Sequence, residues 1–363
     1  MRLSTKVLVI GGGPAGASAA RFLAGNGVDV ILLERNPFFA KPCGGGISLG
    51  VFDELHIPKS SIKKVVKAIW LISPRGEKLE IEMKGVGLAM VERKEFDAIL
   101  RKEAEAKGAQ IITADFKGVT QNKTYIAEAD SNGVKHEFSA EYIIAADGIN
   151  SKTRTMLGIK PSRSFFTESE RIEDINTDAC EFWFGSSHAP LAYSWVFPAA
   201  GGVSIGTGTF QAGAIKALFN KFKERKGIVS EGQQKVYRIP VWTGDLFNKG
   251  KVLFAGDSAG QVLPLTYEGI YYAMKSGELA AQAIIEDDIE AYRKRWKARF
   301  QKRFLLMKRL RDYFLKDDAS AEKLVALHRR PEIREASLRL WIGKDNSKDS
   351  IMSYIRLFGK FLH

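Results

Sequence analysis

The fold of this chain depends first on Val7-Leu8-Val9-Ile10-Gly11-Gly12-Gly13-Pro14-Ala15-Gly16, an apolar run followed at once by a glycine-rich turn. The small residues that follow, 17–23, predict a helix, so the stretch has the strand-turn-helix context of a dinucleotide-binding fingerprint. Gly11 permits the tight turn, Gly13 lets the backbone approach a pyrophosphate, and Gly16 lets the helix pack on the strand. The pyrophosphate is expected at the positive end of that helix.

Two further signals support a nucleotide site. Residues 28–33 predict a second strand ending at Glu34, whose carboxylate can accept hydrogen bonds from ribose hydroxyls and disfavours a 2′-phosphate. Far downstream, residues 251–257 form another apolar strand that ends in Gly256-Asp257, before a predicted helix over 269–286. An aspartate at that turn can bind a ribityl hydroxyl. Together the motifs predict FAD; an ordinary turn with an N-capping aspartate is the alternative for the second motif.

Composition indicates a globular enzyme. The 363 residues are 45% hydrophobic and 27% charged, enough for one large core or two domains. The cysteines, Cys43 and Cys180, form neither a disulfide framework nor a metal-ligand cluster, so we predict no metal and a reducing, cytoplasmic location. The apolar start runs directly into the fingerprint and predicts no signal peptide, and no apolar run is long enough to predict a membrane span.

Positive charge is concentrated near the C-terminus. Of the net charge of +13, residues 289–363 hold 20 Lys and Arg against 9 Asp and Glu, with ten basic residues and no acidic one between Arg293 and Arg311. Apolar residues at helical spacing are interleaved there: Trp296, Phe300, Phe304, Leu305, Leu306 and Met307. This pattern predicts a basic amphipathic helix. Such a helix favours peripheral contact with the inner face of an anionic membrane. No nucleic-acid fold signature is present, so we expect no nucleic acid. A solvated basic face on a helix packed against its own domain is the alternative.

The order of predicted elements indicates a mixed α/β fold. A Rossmann-type FAD-binding domain is expected in two pieces, residues 1–159 and 241–288. Residues 160–240 are rich in aromatics and short strands, which predicts an inserted antiparallel-sheet substrate domain. Residues 289–363 predict a basic, helical C-terminal region.

Several motifs together resemble the p-hydroxybenzoate hydroxylase class of glutathione-reductase-type flavoproteins. They are the fingerprint with Glu34, Arg93-Lys94-Glu95-Phe96-Asp97, Ala146-Asp147-Gly148 with Ser151 and Arg154, and Gly256-Asp257 with Pro264 and Gly269-Ile270. Two more, Pro42-Cys43-Gly44-Gly45-Gly46 and Pro190-Leu191-Ala192-Tyr193-Ser194-Trp195-Val196-Phe197-Pro198, are similar to the geranylgeranyl reductase family, whose hallmark is PxxYxWxFP. The resemblance implies that reduced FAD saturates double bonds of prenyl chains in archaeal lipids, chlorophyll side chains or quinone tails.

The aromatic segment itself suits a greasy substrate. On a strand, Tyr193, Trp195 and Phe197 fall on one face, while Ser194 and Val196 fall on the other. The rings offer apolar area to a prenyl chain, although an ordinary core strand would show the same alternation. Hydride transfer to one alkene carbon requires a proton at the other. A protonated thiol at Cys43 or a bound water could supply it, and simple packing at the ring edge is an equal alternative for that cysteine.

The residues and the resemblance together give three sets of candidates. For FAD binding they are Gly11, Gly13, Pro14, Ala15, Gly16, Glu34, Arg35, Cys43, Gly44, Gly45, Arg93, Asp147, Gly148, Gly256, Asp257, Pro264, Gly269 and Ile270. For catalysis they are Cys43, Tyr193 and Trp195, and for the substrate pocket Tyr193, Trp195, Phe197, Pro198 and Tyr267. The large side chains in Leu265-Thr266-Tyr267-Glu268 depart from the small, glycine-rich run usual at this point in the family. The identity of the family's substrate therefore carries over less directly to this chain.

Other activities share the same scaffold. A flavin monooxygenase is the main alternative, while halogenation is disfavoured because residues 193–198 lack the WxWxIP pattern of flavin halogenases. Electron transfer to a quinone is a third hypothesis. Only one complete dinucleotide fingerprint is present, so the electron donor is expected to be transiently bound NAD(P)H or a ferredoxin attracted by the basic C-terminus.

Overall fold

The computed structural model describes residues 2–344 and 348–358 as a mixed α/β protein. The chain divides into two compact units. The first comprises the residues up to Ala40 together with Lys94–Arg163 and Ile239–Gln301; the second comprises Lys41–Arg93, Ser164–Arg238 and the residues from Lys302 onward. Among the described residues, no helix combines the length and hydropathy that crossing a bilayer requires.

The strands and helices have the following bounds. The strands are β1 (Arg2–Ile10), β2 (Val30–Glu34), β3 (Gly46–Ser48), β4 (Ile62–Val66), β5 (Ala68–Ile72), β6 (Lys78–Glu82), β7 (Leu88–Val91), β8 (Gln110–Thr113), β9 (Asp115–Gln121), β10 (Tyr125–Ser131), β11 (Val134–Ala145), β12 (Ser164–Ile172), β13 (Cys180–Trp183), β14 (Ser194–Ala199), β15 (Gly202–Thr209), β16 (Lys235–Pro240), β17 (Asn248–Lys249) and β18 (Val252–Phe254). The helices are α1 (Pro14–Gly25), α2 (Leu49–Glu54), α3 (Arg93–Ala106), α4 (Lys152–Met156), α5 (Ile215–Lys226), α6 (Ile270–Ile285), α7 (Ile289–Trp296), α8 (Lys302–Phe314), α9 (Asp318–Leu327), α10 (Pro331–Ser337) and α11 (Lys348–Phe358). Short 3₁₀ turns lie at Lys59–Ser61, Ala212–Ala214 and Gly256–Ala259, and π-helical turns at Lys297–Gln301 and Leu338–Ile342.

The first unit is built on a largely parallel sheet. β1 lies between β2 and β11 and pairs with both in parallel, β8 extends the sheet beyond β2, and β18 pairs in parallel with β11. β9 and β10 form an antiparallel ribbon with the long strand β11. The fingerprint strand is therefore central, which explains why Val7, Leu8 and Val9 are consecutive apolar residues with no solvent exposure.

Helix α1 lies close to the strand before it and to α6 because glycine occupies both crossing points. A Cβ atom at Gly16 would lie 1.9 Å from the Gly11 carbonyl oxygen, and a Cβ at Gly277 on α6 would lie 2.1 Å from the Ala15 carbonyl oxygen. Only glycine fits at these two crossings. The role predicted for Gly16 in helix-on-strand packing has this geometric basis.

The second unit contains an antiparallel sheet covered on one face by a helix. Its strand order is β16-β12-β15-β14-β13-β5-β6, with β13 and β5 parallel, and a small separate sheet has the order β3-β7-β4. Helix α5 supplies Phe219 and Phe222 to a core that also contains Val196 and Ile205 from the sheet. This face of the sheet is consequently buried under α5, and the opposite face carries the aromatic residues described below.

Many predicted elements are present, but the compact units divide the chain differently from the predicted domains. Residues 41–93, placed by the sequence with the FAD-binding domain, belong to the second unit because β5 pairs with β13. Residues from Lys302 onward also group with that unit. The sequence also suggests a three-stranded antiparallel meander near Ile111, Tyr125 and Phe138. This is wrong at its first strand, because β8, which contains Ile111, pairs in parallel with β2, and the antiparallel ribbon begins at β9.

The basic stretch 293–311 is helical, as predicted, but its rings do not face solvent. Trp296, Phe300 and Phe304 have no exposed surface, Leu306 and Met307 are also buried, and only Leu305, at 44%, is exposed among the apolar residues named for membrane contact. Trp296 packs against Trp242 and Phe247 within the first unit. The expected insertion of these rings into a membrane is therefore wrong, and the alternative, a basic face on a packed helix, describes them. The predicted helical region extends to residue 363; positions 345–347 and 359–363 lie outside the described residues.

Adding one methyl group at the α1–α6 crossing should destabilise the first unit. Gly277→Ala places its Cβ against backbone that cannot rotate away, so we expect a loss of about 2 kcal/mol or more in the free energy of unfolding. Gly25→Ala is the matched control, because its Cβ would meet nothing closer than 3.8 Å. Urea denaturation of both variants measures the difference; equal stabilities would contradict the close packing.

Candidate flavin and substrate sites

The glycine-rich turn between β1 and α1 has the shape of a cradle. Gly11 has a φ of 99°, and a Cβ there would lie 2.4 Å from the Ala146 carbonyl oxygen. Gly13 faces open space: among the described residues, no atom lies within 4 Å of the position its Cβ would take, and no side chain caps α1. Pro14 occupies the first turn, where no amide hydrogen is needed. An anionic group fits against this uncapped helix terminus.

The second glycine motif lies directly beside the first. A Cβ at Gly256, whose φ is 66°, would lie 3.0 Å from the Ala15 Cβ and 3.1 Å from the Ala273 Cβ. Gly269, just before α6, would place a Cβ 3.6 Å from an Asp257 carboxylate oxygen. The two motifs predicted to form one site therefore converge within the first unit on the N-terminus of α1.

Glu34 is held in place by the backbone around it. Its carboxylate accepts the Gly12 N–H at 2.7 Å through one oxygen and the Asn36 N–H at 2.8 Å through the other. A carboxylate has about four acceptor positions, so it retains capacity for the two hydroxyls of a ribose. Arg35, the next predicted residue, is exposed.

Arg101 on α3 is a structural member of this site that motif reasoning missed. Its guanidinium is buried and donates to the Gly12 carbonyl at 3.0 Å and to the Pro37 carbonyl at 2.6 Å. The sequence points instead to Arg93, which begins α3, is also buried and belongs to the second unit. An arginine within an amphipathic helix has no pattern that distinguishes a buried donor from a solvated one, so the sequence offered no signal for Arg101.

Asp147 provides a test of whether a polar cofactor fits. One carboxylate oxygen accepts hydrogen bonds from the Thr153 N–H at 3.0 Å and the Thr153 hydroxyl at 2.9 Å. The other oxygen is buried and has no hydrogen-bond partner among the described residues. A buried acceptor without a donor is costly, so this oxygen is suited to a ligand hydroxyl or amide. It follows directly on Ala146, which borders Gly11, and Gly148 beyond it has a φ of 76°.

The loop before α6 contains a strained residue. Tyr267, predicted to shape the pocket, has a φ of 53°, and its N–H donates to the Leu263 carbonyl at 2.9 Å. A bulky residue in the left-handed region costs about 1–3 kcal/mol and persists only where the surroundings require it. Pro264, Gly269 and Ile270 flank it in the same unit.

The second unit carries an aromatic wall on the open face of its sheet. Along β14, Ser194 and Val196 are fully buried toward α5, whereas Trp195 and Phe197 are half-buried on the other face, as the alternation predicts. The Phe182 ring lies 5.1 Å from both Tyr193 and Phe197 in edge-on contacts. Phe182 was not among the predicted pocket residues; it joins the wall because β13 pairs with β14.

The cysteine loop packs onto this wall. A Cβ at Gly44 would lie 2.6 Å from the Phe197 ring, so the glycine allows direct ring-on-backbone contact. Gly45 has a φ of 78°, and its N–H donates to the Cys43 sulfur at 3.3 Å. Cys43 is half-buried. The structure thus brings together the two segments that sequence reasoning assigned to the flavin face and the prenyl chain.

A buried hydrogen-bond circuit supports the aromatic segment from behind. His188 Nδ1 lies 2.7 Å from the Ser194 hydroxyl, which donates to the Thr207 hydroxyl at 2.8 Å, and Thr207 in turn donates to the His188 carbonyl at 2.6 Å. Burial, reinforced by the nearby Arg225 charge, lowers the pKa of His188 from 6.5 to about 4. The imidazole is therefore neutral at pH 7 and ties the 188–194 turn to β15.

Known proteins match both the sequence and the architecture. A family model described as an FAD binding domain matches residues 4–286. The geranylgeranyl diphosphate reductase of Synechocystis sp. is 30% identical over 89% of this chain and 88% of its own length. Digeranylgeranylglycerophospholipid reductase 2 of Methanothermobacter thermautotrophicus is 30% identical over 97% of this chain and 95% of its own.

The chain belongs to the FAD-binding geranylgeranyl reductase family. A solved structure agrees: a geranylgeranyl bacteriochlorophyll reductase-like protein from Thermoplasma acidophilum superposes with a TM-score of 0.84 at 25% identity, over 99% of both chains. This geranylgeranyl reductase family member is therefore an FAD-dependent oxidoreductase, in agreement with the family and cofactor predicted from the motifs.

The open space at Gly13 generates a test of how this flavoprotein holds FAD. Gly13→Ala should fold normally, because its φ of −73° suits any residue and its Cβ meets nothing. The methyl group would nevertheless occupy the cradle, so we expect FAD affinity to fall at least about tenfold. Gly213→Ala, which also faces open space, is the control. Flavin absorbance after gel filtration measures retention, and normal retention in Gly13→Ala would rule out this position for the pyrophosphate.

Acid should destabilise this reductase family member through its buried histidines. Burial also lowers the pKa of His328 to about 4. In the unfolded chain each of these two histidines takes up a proton as the pH falls through about 6.5, whereas in the folded protein each stays neutral until about pH 4. The free energy of unfolding is therefore highest above about pH 6.5 and falls as the pH drops toward 4. Chemical denaturation across this range should show the pH slope of His188→Gln reduced by about one proton relative to the wild type. Identical slopes would contradict a neutral, buried His188.

Proposed function

We propose that this protein saturates carbon–carbon double bonds in the prenyl chain of an isoprenoid lipid. The observation that carries the proposal is the aromatic wall of the second unit, where the Phe182 ring contacts both Tyr193 and Phe197 and Gly44 packs on the Phe197 ring. Such a surface binds a polyisoprenyl chain by burying apolar area, at about 25 cal/mol per Å². The names of the relatives, which refer to geranylgeranyl diphosphate and digeranylgeranylglycerophospholipid, support the same substrate class.

The two units have separate proposed roles. The first holds the ADP portion of FAD in a glutathione-reductase-type arrangement, through the Gly11–Gly16 turn, the Glu34 carboxylate and Asp147. The second holds the prenyl chain along β13 and β14. Arg35, Arg93, Asp257 and the 264–270 loop remain proposed FAD contacts, and Trp195, Pro198 and Tyr267 remain proposed pocket residues.

The reaction needs a hydride and a proton at adjacent carbons. FAD, when bound and reduced, supplies the hydride; the proton must come from the protein or from water. Cys43 is the proposed donor, because its sulfur accepts the Gly45 N–H at 3.3 Å and lies in the loop packed on Phe197. Tyr193, on the same wall, is the second proposed donor.

The electron donor is proposed to be NAD(P)H or a ferredoxin. Only one complete dinucleotide fingerprint occurs in the sequence, and FAD uses it, so the donor would bind transiently. The net charge of +13 would favour an acidic protein donor over long distances.

An anaerobic single-turnover experiment tests the proposed function. The flavin is reduced with dithionite, excess reductant is removed, and a geranylgeranyl phospholipid in detergent is added while flavin reoxidation and lipid mass are followed. We expect reoxidation under nitrogen together with a gain of two hydrogens for each bond reduced. Reoxidation only after air is admitted, with oxygen inserted into the lipid, would identify a monooxygenase instead.

Replacing the thiol tests the proposed acid. Cys43→Ser should retain FAD but lower the single-turnover rate by about tenfold to a hundredfold, because a hydroxyl is a weaker acid than a thiol. Cys180→Ala, which removes the buried thiol beside Met90, is the matched control. Full turnover in Cys43→Ser would eliminate the thiol as the proton donor and leave Tyr193 or water.

A further inference from the structure

We propose that the loop after β2, residues 35–40, is a membrane-docking loop that inserts Phe38 and Phe39 into the headgroup region of an anionic bilayer. The inference concerns the first unit alone and is independent of the proposed prenyl reduction. It replaces the basic helix 293–311, whose rings are buried, as the point of membrane contact.

The two phenylalanines are the principal exposed aromatic feature of the described residues. Phe38 is 73% exposed and Phe39 is 47% exposed, and no other Phe, Tyr or Trp appears among the large hydrophobic side chains that the described part of the chain exposes. Moving the exposed surface of each ring from water into an apolar environment would be favourable by about 25 cal/mol per Å² of that surface. Consecutive exposed rings on one loop therefore form a surface suited to burial in a second phase.

The exposure follows from a loop that is held in shape. The Phe38 N–H donates to the Asn36 side-chain oxygen at 3.1 Å, and the Phe39 N–H donates to the Asn36 carbonyl at 3.1 Å. The buried Arg101 guanidinium binds the Pro37 carbonyl at 2.6 Å, and Asn36 is itself bound to Glu34. These contacts hold the turn so that both rings project outward, which lowers the conformational cost of insertion.

Charge around the loop selects an anionic surface. Arg35 lies at its start, and no acidic residue occurs between Arg35 and Ala40. Lys94 is exposed and lies 5.6 Å from the centre of the Phe38 ring. Glu95 is the acidic residue nearest to Lys94 in sequence. Aromatic rings flanked by Lys and Arg match a bilayer interface, where rings sit at headgroup depth and cations pair with phosphates.

Vesicle cosedimentation tests the proposal with the full-length holoprotein. The probes are vesicles of phosphatidylcholine alone and of phosphatidylcholine with about a third phosphatidylglycerol. We expect binding to the anionic vesicles that weakens with added salt, since exposed charges are screened. Phe38→Ala/Phe39→Ala should bind at least about tenfold more weakly, and Lys94→Gln about fivefold more weakly. Phe38→Trp/Phe39→Trp should bind as the wild type does, because aromatic residues of either kind favour the interface.

Matched controls lie on the same unit. Val134→Ala removes an exposed apolar side chain, and Lys123→Gln removes an exposed cation, each away from the loop. Neither should change vesicle binding. Flavin content and thermal stability of every variant confirm that the fold is kept.

Two outcomes would overturn the proposal. The first is no wild-type binding to anionic vesicles, and the second is wild-type affinity in Phe38→Ala/Phe39→Ala. If, in the second case, that variant also loses reduction by a protein electron donor, the loop is a protein contact. Turnover of a detergent-dispersed prenyl lipid is measured in parallel: the alanine variant should retain it, so failure of docking and failure of the prenyl reductase activity are distinguishable.

Discussion

The candidate cofactor site of this protein depends on the absence of side chains where α1 crosses β1 and α6. At Gly16 and Gly277 a Cβ atom would overlap backbone oxygen at about 2 Å, so the helix can lie close to both neighbours only with glycine at these positions. This close approach aims the uncapped end of α1 at the space beside Gly13 and brings Gly256 against Ala15. The same packing that stabilises the first unit thereby forms the place where an anionic cofactor group can bind.

The parts of the site that follow from local backbone requirements could be read from the sequence. Gly11, Gly13 and Gly16 each serve a different steric purpose, and their spacing after an apolar strand is typical of a dinucleotide-binding turn. The alternation along β14 likewise separated Ser194 and Val196 from Trp195 and Phe197, because a strand places successive residues on opposite faces. The reduction of prenyl double bonds was suggested by the resemblance to the family, because residue spacing alone does not indicate a reaction.

The parts that arise from long-range packing could not be read in this way. Arg101 joins the site only because α3 lies against the glycine turn, and Phe182 joins the aromatic wall only through strand pairing. The basic stretch 293–311 has the pattern of a membrane helix, yet its rings are buried, since periodicity shows which residues share a face and not what covers it. His188 shows the same limit: its hydrogen-bond circuit closes through Thr207 on β15, 19 residues further along the chain.

Arg101 also has a consequence for the energetics of the whole first unit. One guanidinium holds the Gly12 carbonyl at the dinucleotide turn and the Pro37 carbonyl at the base of the Phe38–Phe39 loop. The guanidinium therefore satisfies backbone acceptors in two separate segments of the unit, and truncating it would remove a donor from both carbonyls at once. The glycine-rich turn and the Phe38–Phe39 loop are thus expected to lose their shape together when this one side chain is lost, although they are distant in sequence.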